Sequence, residues 1–324
     1  MNVLVTGGAG YIGSHFVRML CERGCEVAVV DDLSSGHADA VPPQARLTRA
    51  RVGDRAAIAS VLAECRPDAV VHFAGLIQVG ESVRRPDVYW AVNLGQTLAL
   101  LDEVVRAGVR TFVFSSTAAV YGSPEQVPIP EDHPRRPINP YGATKLAVEL
   151  ALADYGRAFG LRHAALRYFN AAGAHPSGEL GERHEPETHL IPLVIDAAMG
   201  RRGPVGVFGD DWPTADGTCV RDYVHVQDLA EAHWMALEEL QRGGASMTLN
   251  LGTGRGVSVR EILQAVQRAA GHPVPHTVEP RREGDPAELV ASPRSASERL
   301  GWKARCSDID TIIGDAWRAR ASRR

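Results

Sequence analysis

Two kinds of hydrophobic pattern alternate along the first half of the chain. Short, nearly continuous apolar runs predict strands at residues 2–6, 26–30, 45–50, 68–73, 111–114 and 162–168. Stretches in which apolar residues recur every three or four positions predict helices at about 11–23, 56–64, 88–107 and 141–159. Repeated strand–helix units of this kind predict an α/β fold, with a doubly wound parallel sheet covered by helices on both faces.

A glycine-rich turn follows the first predicted strand directly. Gly7, Gly10 and Gly13 let the backbone approach a pyrophosphate, which then rests on the N-terminus of the next helix. The second strand ends on Asp31, whose carboxylate suits ribose hydroxyls and repels a 2′-phosphate. No arginine lies at residues 32–36 to bind such a phosphate. These features predict a Rossmann-type unit that binds NAD rather than NADP.

The second half of the chain differs from the first in composition and in its hydrophobic pattern. Residues 171–188 form a Gly-, Pro-, Glu- and His-rich stretch that is too long for a simple connection, which indicates a functional loop. Further helices are predicted at 190–199, 227–240 and 259–270 and from 296 onward, with strands at 205–208, 248–251 and 274–278. We therefore expect an NAD-binding domain at 1–170 and a smaller mixed α/β lobe at 171–324. The strand near 248–251 is expected to return to the first sheet.

Tyr141 and Lys145 lie four positions apart in a predicted helix, so their side chains share one face. A free tyrosine has a pKa near ~10, and a neighbouring ammonium lowers that pKa because it favours the phenolate. Lysine is rare here, since only Lys145 and Lys303 are lysines among the 35 basic residues. The pair predicts a general base that works near neutral pH. From spacing alone, the alternative is a surface pair without a chemical role.

The composition and charge of the chain limit the kinds of partner and metal ion that it is expected to bind. The net charge of −4 and the pI near 6.3 give no support for nucleic acid or an anionic membrane. Cys21 and Cys25 are one helical turn apart, but no second ligand pair follows, so no metal site is predicted. The scattered cysteines and the absence of a signal-peptide pattern lead us to expect a cytoplasmic protein.

The glycine turn, Thr117 after the 111–114 strand and the Tyr141–Lys145 helix together resemble the extended short-chain dehydrogenase/reductase superfamily. Within it, nearly the whole chain is similar to the UDP-glucose 4-epimerase family. The similarity covers the blocks VTGGAGYIGSH (5–15), HFAGL (72–76), VGESV (79–83), FSSTAAVYG (114–122), NPYGATK (139–145), LRYFN (166–170), GAHPSG (173–178), DGTCVRDYVHV (216–226) and RREGD (281–285). The blocks at 173–178, 220–223 and 281–285 point to the 4-epimerases, whereas the glycine spacing and Tyr-x-x-x-Lys mark only the superfamily.

The resemblance implies an NAD-dependent isomerase that interconverts UDP-glucose and UDP-galactose through a transient 4-keto sugar. Tyr141, as phenolate, takes the proton of the sugar 4-hydroxyl while the C4 hydride passes to NAD and later returns to the opposite face. Lys145 holds the ribose of the nicotinamide half and keeps the tyrosine pKa low. Thr117 hydrogen-bonds the reacting oxygen.

The resemblance also implies the binding residues. Those for the cofactor are Gly7, Gly10, Tyr11, Ile12, Gly13, Asp31, Asp32, Asp54, Phe73, Ala74, Gly75, Asn93, Ser115, Tyr141, Lys145 and Tyr168. Those for the substrate are Thr117, Tyr141, Asn170, His189, Leu190, Gly206, Phe208, Arg221, Arg282, Asp285 and Leu289. Asp54 is also a candidate helix cap.

Within the substrate set, the expected roles differ. Arg221 and Arg282 would hold the diphosphate, because bidentate guanidinium suits phosphate. For each arginine the alternative is a surface salt bridge. Asp285 would reach the uridine ribose, and His189 replaces what is often an asparagine on the uridine side, with a helix-start histidine as its alternative.

Two departures from the family pattern matter, one for cofactor affinity and one for sugar specificity. Ile77 stands where many members carry a lysine near the cofactor phosphate, which removes one charge contact. Leu289 stands at a position that gates the sugar 2-substituent, where some members carry tyrosine. A smaller side chain there predicts that UDP-N-acetylhexosamines (UDP-GlcNAc and UDP-GalNAc) are also accepted. By resemblance, we expect a homodimer formed through the 88–107 and 141–159 helices.

Three other functions use the same fold, and two of them fit this sequence less well than the expected epimerase activity does. A sugar-nucleotide 4,6-dehydratase needs an Asp-Glu pair after Thr117, where Ala118 and Ala119 stand here. The sequence does not distinguish the expected activity from that of a 4-epimerase that acts on another UDP-sugar, such as a uronic acid or a pentose. A non-catalytic NAD-sensing regulator has no need of the Thr117, Tyr141 and Lys145 set.

Overall fold

The computed structural model of the chain describes residues 1–282 and 284–322, so Glu283 of the 281–285 block lies outside the described residues. Two compact units make up the chain, and each contains more than one segment. The first unit comprises Met1–Ser123, Pro134–Tyr168 and Ala230–Leu249. The second comprises Pro124–His133, Phe169–Leu229 and Asn250–Arg324.

The regular elements alternate along most of the chain. The described strands are β1 (Asn2–Thr6), β2 (Glu26–Asp31), β3 (Arg46–Arg49), β4 (Ala69–His72), β5 (Thr111–Thr117), β6 (Arg162–Tyr168), β7 (Asn170–Ala172), β8 (Val205–Phe208), β9 (Val220–Arg221), β10 (Tyr223–His225), β11 (Met247–Leu251), β12 (Val257–Ser258), β13 (His276–Glu279) and β14 (Glu288–Leu289). The described α-helices are α1 (Tyr11–Glu22), α2 (Arg55–Cys65), α3 (Val79–Arg84), α4 (Pro86–Tyr89), α5 (Thr97–Arg106), α6 (Pro140–Phe159), α7 (Leu190–Ala198), α8 (Val226–Gln241), α9 (Val259–Ala270), α10 (Arg294–Leu300) and α11 (Ile309–Ala321). Within the described residues, no helix is both long and apolar enough to cross a bilayer.

Seven of these strands form one sheet, in the order β3–β2–β1–β4–β5–β6–β11. The registers from β3 through β6 are parallel. The predicted Rossmann-type α/β fold class is therefore confirmed. The strand order changes direction between β1 and β4, and ligands in such sheets bind at the carboxyl ends of the strands beside this point.

The core of the first unit explains why its strands and helices could be predicted from the sequence. β4 is buried at every position, and β1 at four of its five. Such strands, covered on both faces, read as continuous apolar runs. Phe112 and Phe114 of β5 pack in the same cluster as Leu100 and Leu101 of α5.

Two predicted boundaries in the first unit were wrong. β5 continues to Thr117 instead of ending at Phe114, with Ser115–Thr117 registered against Leu166–Tyr168. Hydroxyl side chains are tolerated there because Ser116 Oγ donates to Glu149 2.6 Å away. The predicted 88–107 helix is instead divided into α4, a π-helical segment over Trp90–Gln96 and α5.

The second unit has its own core and three small sheets. The core joins buried residues of α7, α9 and α11, such as Val194, Ile262 and Ile312. The small sheets pair β7 with β10, β8 with β13, and β9 with both β12 and β14. Five of these strands have only two or three residues in regions where no strand was predicted, because so short a run shows no period.

Candidate active site

The glycine turn between β1 and α1 is built too tightly for side chains. Gly7 has φ +70°, and a Cβ there would lie 2.4 Å from the Ala74 nitrogen. A Cβ on Gly13 would lie 2.1 Å from the Gly7 carbonyl oxygen. Gly10 is the N-cap of α1 and provides no side-chain hydrogen bond. The first-turn N–H groups that begin at Tyr11 and Ile12 can therefore bind an anion, so this turn fits a dinucleotide pyrophosphate.

Asp31 lies at the end of β2 and is held against this turn. Its Oδ2 accepts from the Ala9 N–H at 3.0 Å and its Oδ1 from the Leu33 N–H at 2.9 Å. The side chain is buried, and burial raises the pKa of Asp31 although both backbone hydrogen bonds oppose the shift. Each oxygen keeps a second lone pair, so the carboxylate can still accept from a ribose hydroxyl. The neighbouring Asp32 accepts from the Ser34 N–H at 2.9 Å.

Asn93 fixes the loop that follows β4. Its side-chain oxygen accepts from the Leu76 N–H at 2.8 Å, and its amide donates to the Leu76 carbonyl at 3.0 Å. A third contact joins the amide to Thr144 Oγ1 at 3.4 Å. Gly75 has φ +155° in this loop. Asn93 points inward from the π-helical segment, and such segments are frequent at functional sites. Its amide thus positions the Ala74–Leu76 backbone.

Two other predicted cofactor residues have clear structural roles. Asp54 is the N-cap of α2 and accepts from the Ala57 N–H at 3.1 Å, so the predicted helix cap is confirmed. The Phe73 ring packs against Phe16 and His233, with ring centroids 5.7 and 4.6 Å apart. Their contact with a cofactor stays a prediction.

Lys145 is buried beneath the loop that Asn93 holds. Its ammonium donates to the Ser115 carbonyl at 2.9 Å and lies 4.9 Å from the Phe114 ring centroid. Burial lowers the pKa of Lys145 from 10.5 to about 8. A Cβ on Gly75 would be 3.5 Å from the ammonium nitrogen. Lys145 is therefore a desolvated cation whose ammonium donates to a fixed backbone acceptor and lies near Gly75.

The start of α6 brings Tyr141 to Thr117. Asn139 caps the helix by accepting from the Gly142 N–H at 2.9 Å. A Cβ on Gly142 would lie 2.4 Å from the Ala119 carbonyl oxygen, so the helix can approach the 118–120 turn only because residue 142 is glycine. As a result, the Tyr141 phenol and the Thr117 hydroxyl form a hydrogen bond.

The electrostatics of this pair have two opposing parts. Burial is the largest influence and raises the pKa of Tyr141, whereas the hydrogen bond with Thr117 lowers it. Thr117 Oγ1 also accepts from the Ala119 N–H at 3.1 Å, which leaves its own proton for the tyrosine oxygen. Ser115 Oγ and the Tyr168 hydroxyl form a further short hydrogen bond nearby. The structure thus brings Thr117, Tyr141, Lys145, Ser115 and Tyr168 together in one unit.

Arg221 of the second unit lies beside the predicted ribose ligand. Its Nη1 donates to the carbonyls of Val220 at 2.9 Å and Pro286 at 3.0 Å. Its Nη2 lies 3.8 Å from Asp285 Oδ1. Leu289 is registered against Arg221 across the β9–β14 pair. The structure therefore groups Arg221, Asp285 and Leu289.

A second group surrounds Phe208 on β8. The Arg282 guanidinium carbon lies 3.7 Å from the Phe208 ring centroid. A Cβ on Gly206 would be 3.3 Å from the same ring. Arg282 therefore stacks on the aromatic ring, and no ion pair joins it to a carboxylate of the residues that the structure describes. The nucleotide roles of Arg282, Gly206 and Phe208 stay predictions.

The remaining predicted substrate residues lie at the ends of elements. The Asn170 N–H, at the start of β7, donates to the Asp222 carbonyl at 3.0 Å. His189 is the N-cap position of α7, and Leu190 is its first residue. The His189 ring contacts Glu182 and gives no side-chain cap to the helix. The helix-start position of His189 is thus observed, while its contact with a nucleotide is untested.

The sequence analysis missed a buried ion pair below the reacting residues. Arg167 Nε donates to Glu149 Oε1 at 2.9 Å and Nη2 to Glu149 Oε2 at 2.5 Å. The same carboxylate accepts from Ser116, and Arg167 donates to the Tyr121 hydroxyl at 2.8 Å. One signal was available, since Glu149 follows Lys145 by four residues and therefore shares its helix face.

Comparisons with known proteins agree with this geometry. The epimerase family model, described as the NAD dependent epimerase/dehydratase family, matches residues 3–252. A UDP-glucose 4-epimerase of Corynebacterium glutamicum is 50% identical over 317 residues, which are 98% of this chain and 95% of that protein.

Solved structures are similar over the same length. The crystal structure of UDP-glucose 4-epimerase from Brucella ovis in complex with NAD has a TM-score of 0.96 at 49% identity, covering 98% of this chain and 97% of that one. The UDP-glucose 4-epimerase from Bifidobacterium longum in complex with NAD+ and UDP has a TM-score of 0.94 at 40% identity, covering 100% and 99%.

Proposed function

This chain belongs to the NAD dependent epimerase/dehydratase family, and from that membership we propose that it interconverts UDP-glucose and UDP-galactose. It is an NAD-dependent isomerase. The observation that carries the proposal is the buried Thr117–Tyr141 hydrogen bond one helical turn from buried Lys145. Relatives that are about half identical over nearly the whole chain bear the name UDP-glucose 4-epimerase.

The residues of the first unit fit NAD. The Gly7–Gly13 turn would hold the pyrophosphate, Asp31 the adenosine ribose and Lys145 the nicotinamide ribose. Ser115, Tyr168 and the Ala74–Leu76 loop would line the rest of the cofactor site. When bound, NAD supplies the hydride acceptor and donor for the sugar C4, so no second redox substrate is needed.

Tyr141 moves the proton of the sugar 4-hydroxyl. Burial alone would keep its phenol protonated, so a base at this position depends on groups that stabilise the phenolate. Thr117 provides one hydrogen bond, and the Lys145 ammonium provides the nearby positive charge. Because the pKa of Lys145 is about 8, most of the ammonium is retained at pH 7. Thr117 also holds the reacting sugar oxygen.

The second unit supplies the nucleotide-sugar ligands. Arg221 and Arg282 hold the diphosphate, with Asn170 beside them, and Asp285 accepts from the uridine ribose. The stacking of Arg282 on Phe208 supports an aromatic platform for a planar base, because cations and nucleobases use the same ring face.

The sugar specificity is broader than the hexose pair. Leu289 is half-buried on β14 and is registered against Arg221, so its side chain lies beside a proposed diphosphate ligand. A leucine leaves more room than a tyrosine, so UDP-N-acetylhexosamines are also substrates. 4,6-Dehydration is not supported, because Ala118 and Ala119 carry no acid or base after Thr117.

The protein acts in the cytoplasm as a homodimer. The support for the dimer is a set of exposed apolar side chains on the helices of residues 79–106 and 140–159. These are Val79, Val83, Trp90, Leu150 and Phe159, which are 42–61% exposed. Such clusters are frequent at protein interfaces.

The proposal is tested by following a panel of UDP-sugars by NMR with purified protein. Wild type should convert UDP-galactose to UDP-glucose, whereas Tyr141→Phe should lose epimerisation and keep UDP binding, since only the reacting hydroxyl is removed. Tyr155→Phe is the matched control, because Tyr155 lies on the same helix and donates to Asp102 at 2.5 Å. Near-full activity of Tyr141→Phe would show that the assigned base is wrong.

A further inference from the structure

Four potential metal ligands converge in the loop before α7. Glu182, His184, Glu187 and His189 follow one another in the pattern Glu-x-His-x-x-Glu-x-His. One ligand atom from each lies within 4.8 Å of every other. All four belong to the second unit, and the proposed epimerase mechanism uses none of the first three.

The distances are close to those of a coordination sphere. His184 Nδ1 lies 2.9 Å from Glu182 Oε1 and 3.8 Å from Glu187 Oε1, and His189 Nδ1 contacts Glu182 Oε1 directly. Tetrahedral zinc with bonds of about 2.0–2.2 Å holds its ligand atoms roughly 3.3–3.5 Å apart. The separations within the cluster, from direct contact to at most 4.8 Å, lie on both sides of that spacing.

Glu187 has one buried carboxylate oxygen that no hydrogen bond satisfies among the described residues. Its side chain is 9% exposed. Its Oε1 accepts from the backbone N–H groups of Thr188 at 2.9 Å and His189 at 3.0 Å. Its Oε2 is buried and, among the described residues, has no hydrogen-bond partner. The Arg320 guanidinium lies 3.8 Å from Oε2 and is also hydrogen-bonded to Asp196.

The donor set restricts the kind of ion. Two imidazole nitrogens and two carboxylates suit zinc and similar borderline divalent ions, whereas calcium and magnesium prefer an all-oxygen shell. Two carboxylates also neutralise the two charges of the ion. We propose that Glu182, His184, Glu187 and His189 bind one divalent transition-metal ion of the zinc class.

The role of this site is structural. Four protein ligands fill a tetrahedral shell and leave no open position for catalysis. The ion would join the 182–187 loop to His189 at the start of α7. A helix N-terminus opposes a cation, but that effect is small beside coordination by two carboxylates. The inference does not depend on the proposed function.

The test uses the full chain with any affinity tag removed, made metal-free with a chelator and without NAD or UDP-sugar. Zinc is titrated against a chromophoric competitor. Wild type should bind one high-affinity zinc per chain, and Glu182→Gln and His184→Ala should bind it roughly a hundredfold more weakly or worse, beyond the 10–100-fold typical of outer-shell changes. Glu185→Gln is the matched control in the same loop, since its side chain is exposed and belongs to no ligand set.

Cobalt substitution distinguishes this site from the cysteines. Cobalt bound to nitrogen and oxygen ligands should give the visible bands of a tetrahedral ion without the near-ultraviolet thiolate charge-transfer band. The proposal is overturned if wild type binds zinc no more tightly than Glu182→Gln, or if thiolate bands dominate. Circular dichroism identifies any unfolded variant, and the isosteric Glu187→Gln then replaces it. Because turnover is not measured, failure here leaves the epimerase proposal untouched.

Discussion

Glu149→Gln should strongly destabilise the first unit, because it leaves the Arg167 charge buried without its partner. The two side chains are 4% and 2% exposed and are joined by two parallel hydrogen bonds. Glutamine keeps the size of the side chain and one acceptor oxygen, so Ser116 can still be satisfied. What disappears is the negative charge that offsets the guanidinium.

The magnitude follows from burial. Removing one partner of a buried pair costs about 3–5 kcal/mol, since the remaining charge is uncompensated. Each kcal/mol shifts the melting midpoint of a domain of 150–250 residues by about 2–4 °C, so the expected fall is roughly 6–20 °C. Replacing both partners by apolar residues, as in Glu149→Leu with Arg167→Met, should recover most of this loss.

The assay is thermal and urea unfolding followed by circular dichroism, with the transitions of wild type and variants compared at one pH. The matched control is Glu238→Gln. Glu238 forms an exposed pair with Arg242 at 3.3 Å in the same unit, with side chains 35% and 69% exposed. Exposed helix pairs contribute only about 0.3–0.5 kcal/mol. If Glu149→Gln lost no more stability than Glu238→Gln, the reasoning about the uncompensated charge would be refuted.

Two other predictions concern the cofactor side. Gly13→Ala should abolish NAD binding, because its methyl group would lie 2.1 Å from a backbone oxygen. Binding is measured by calorimetry. The control is Gly314→Ala, whose methyl group would meet nothing within 4 Å and which should bind NAD normally. Lys145→Met should lose activity yet exceed wild type in stability at pH 7 without ligands. Since the folded pKa of Lys145 is about 8 against an ordinary 10.5, the penalty for burying its charge is complete below pH 8 and fades as the pH rises toward 10.5. Denaturation at several pH values should show the gap narrowing over that range, and a constant gap would contradict the shift.

The elements with strong apolar patterns were predictable from the sequence. β1, β6 and β8 have the predicted bounds, and so does α9. The capping box of α9, in which Ser258 and Glu261 bond each other's backbone, marks its start. The errors have a common cause, since the end of β5 and the π-helical segment depend on contacts made from other parts of the chain. Local period carries no information about such contacts.

The candidate site also has features that could be predicted from local sequence patterns and features that could not. Motif spacing predicted candidate site residues, because a glycine turn and a Tyr-x-x-x-Lys helix are local patterns. It could not show that Asn93 holds the backbone of Leu76, nor that Gly142 permits the close approach of α6 to Ala119. Those facts require two distant segments to be in place. The loop before α7 is similar, since its metal-ligand pattern is local but its convergence depends on the fold.

The pKa shifts of Tyr141 and Lys145 bear on the proposed general base. Burial opposes the charged form of each residue separately, raising the pKa of the phenol and lowering that of the ammonium. A phenolate beside an ammonium is a neutral pair, and attraction within it is stronger in a buried site than in water. In the proposed mechanism, the same desolvation that makes either charge unfavourable alone would therefore strengthen the attraction between them. A base assembled in this way is weak until its partner is held in place, and Ser115 holds that partner through a single carbonyl.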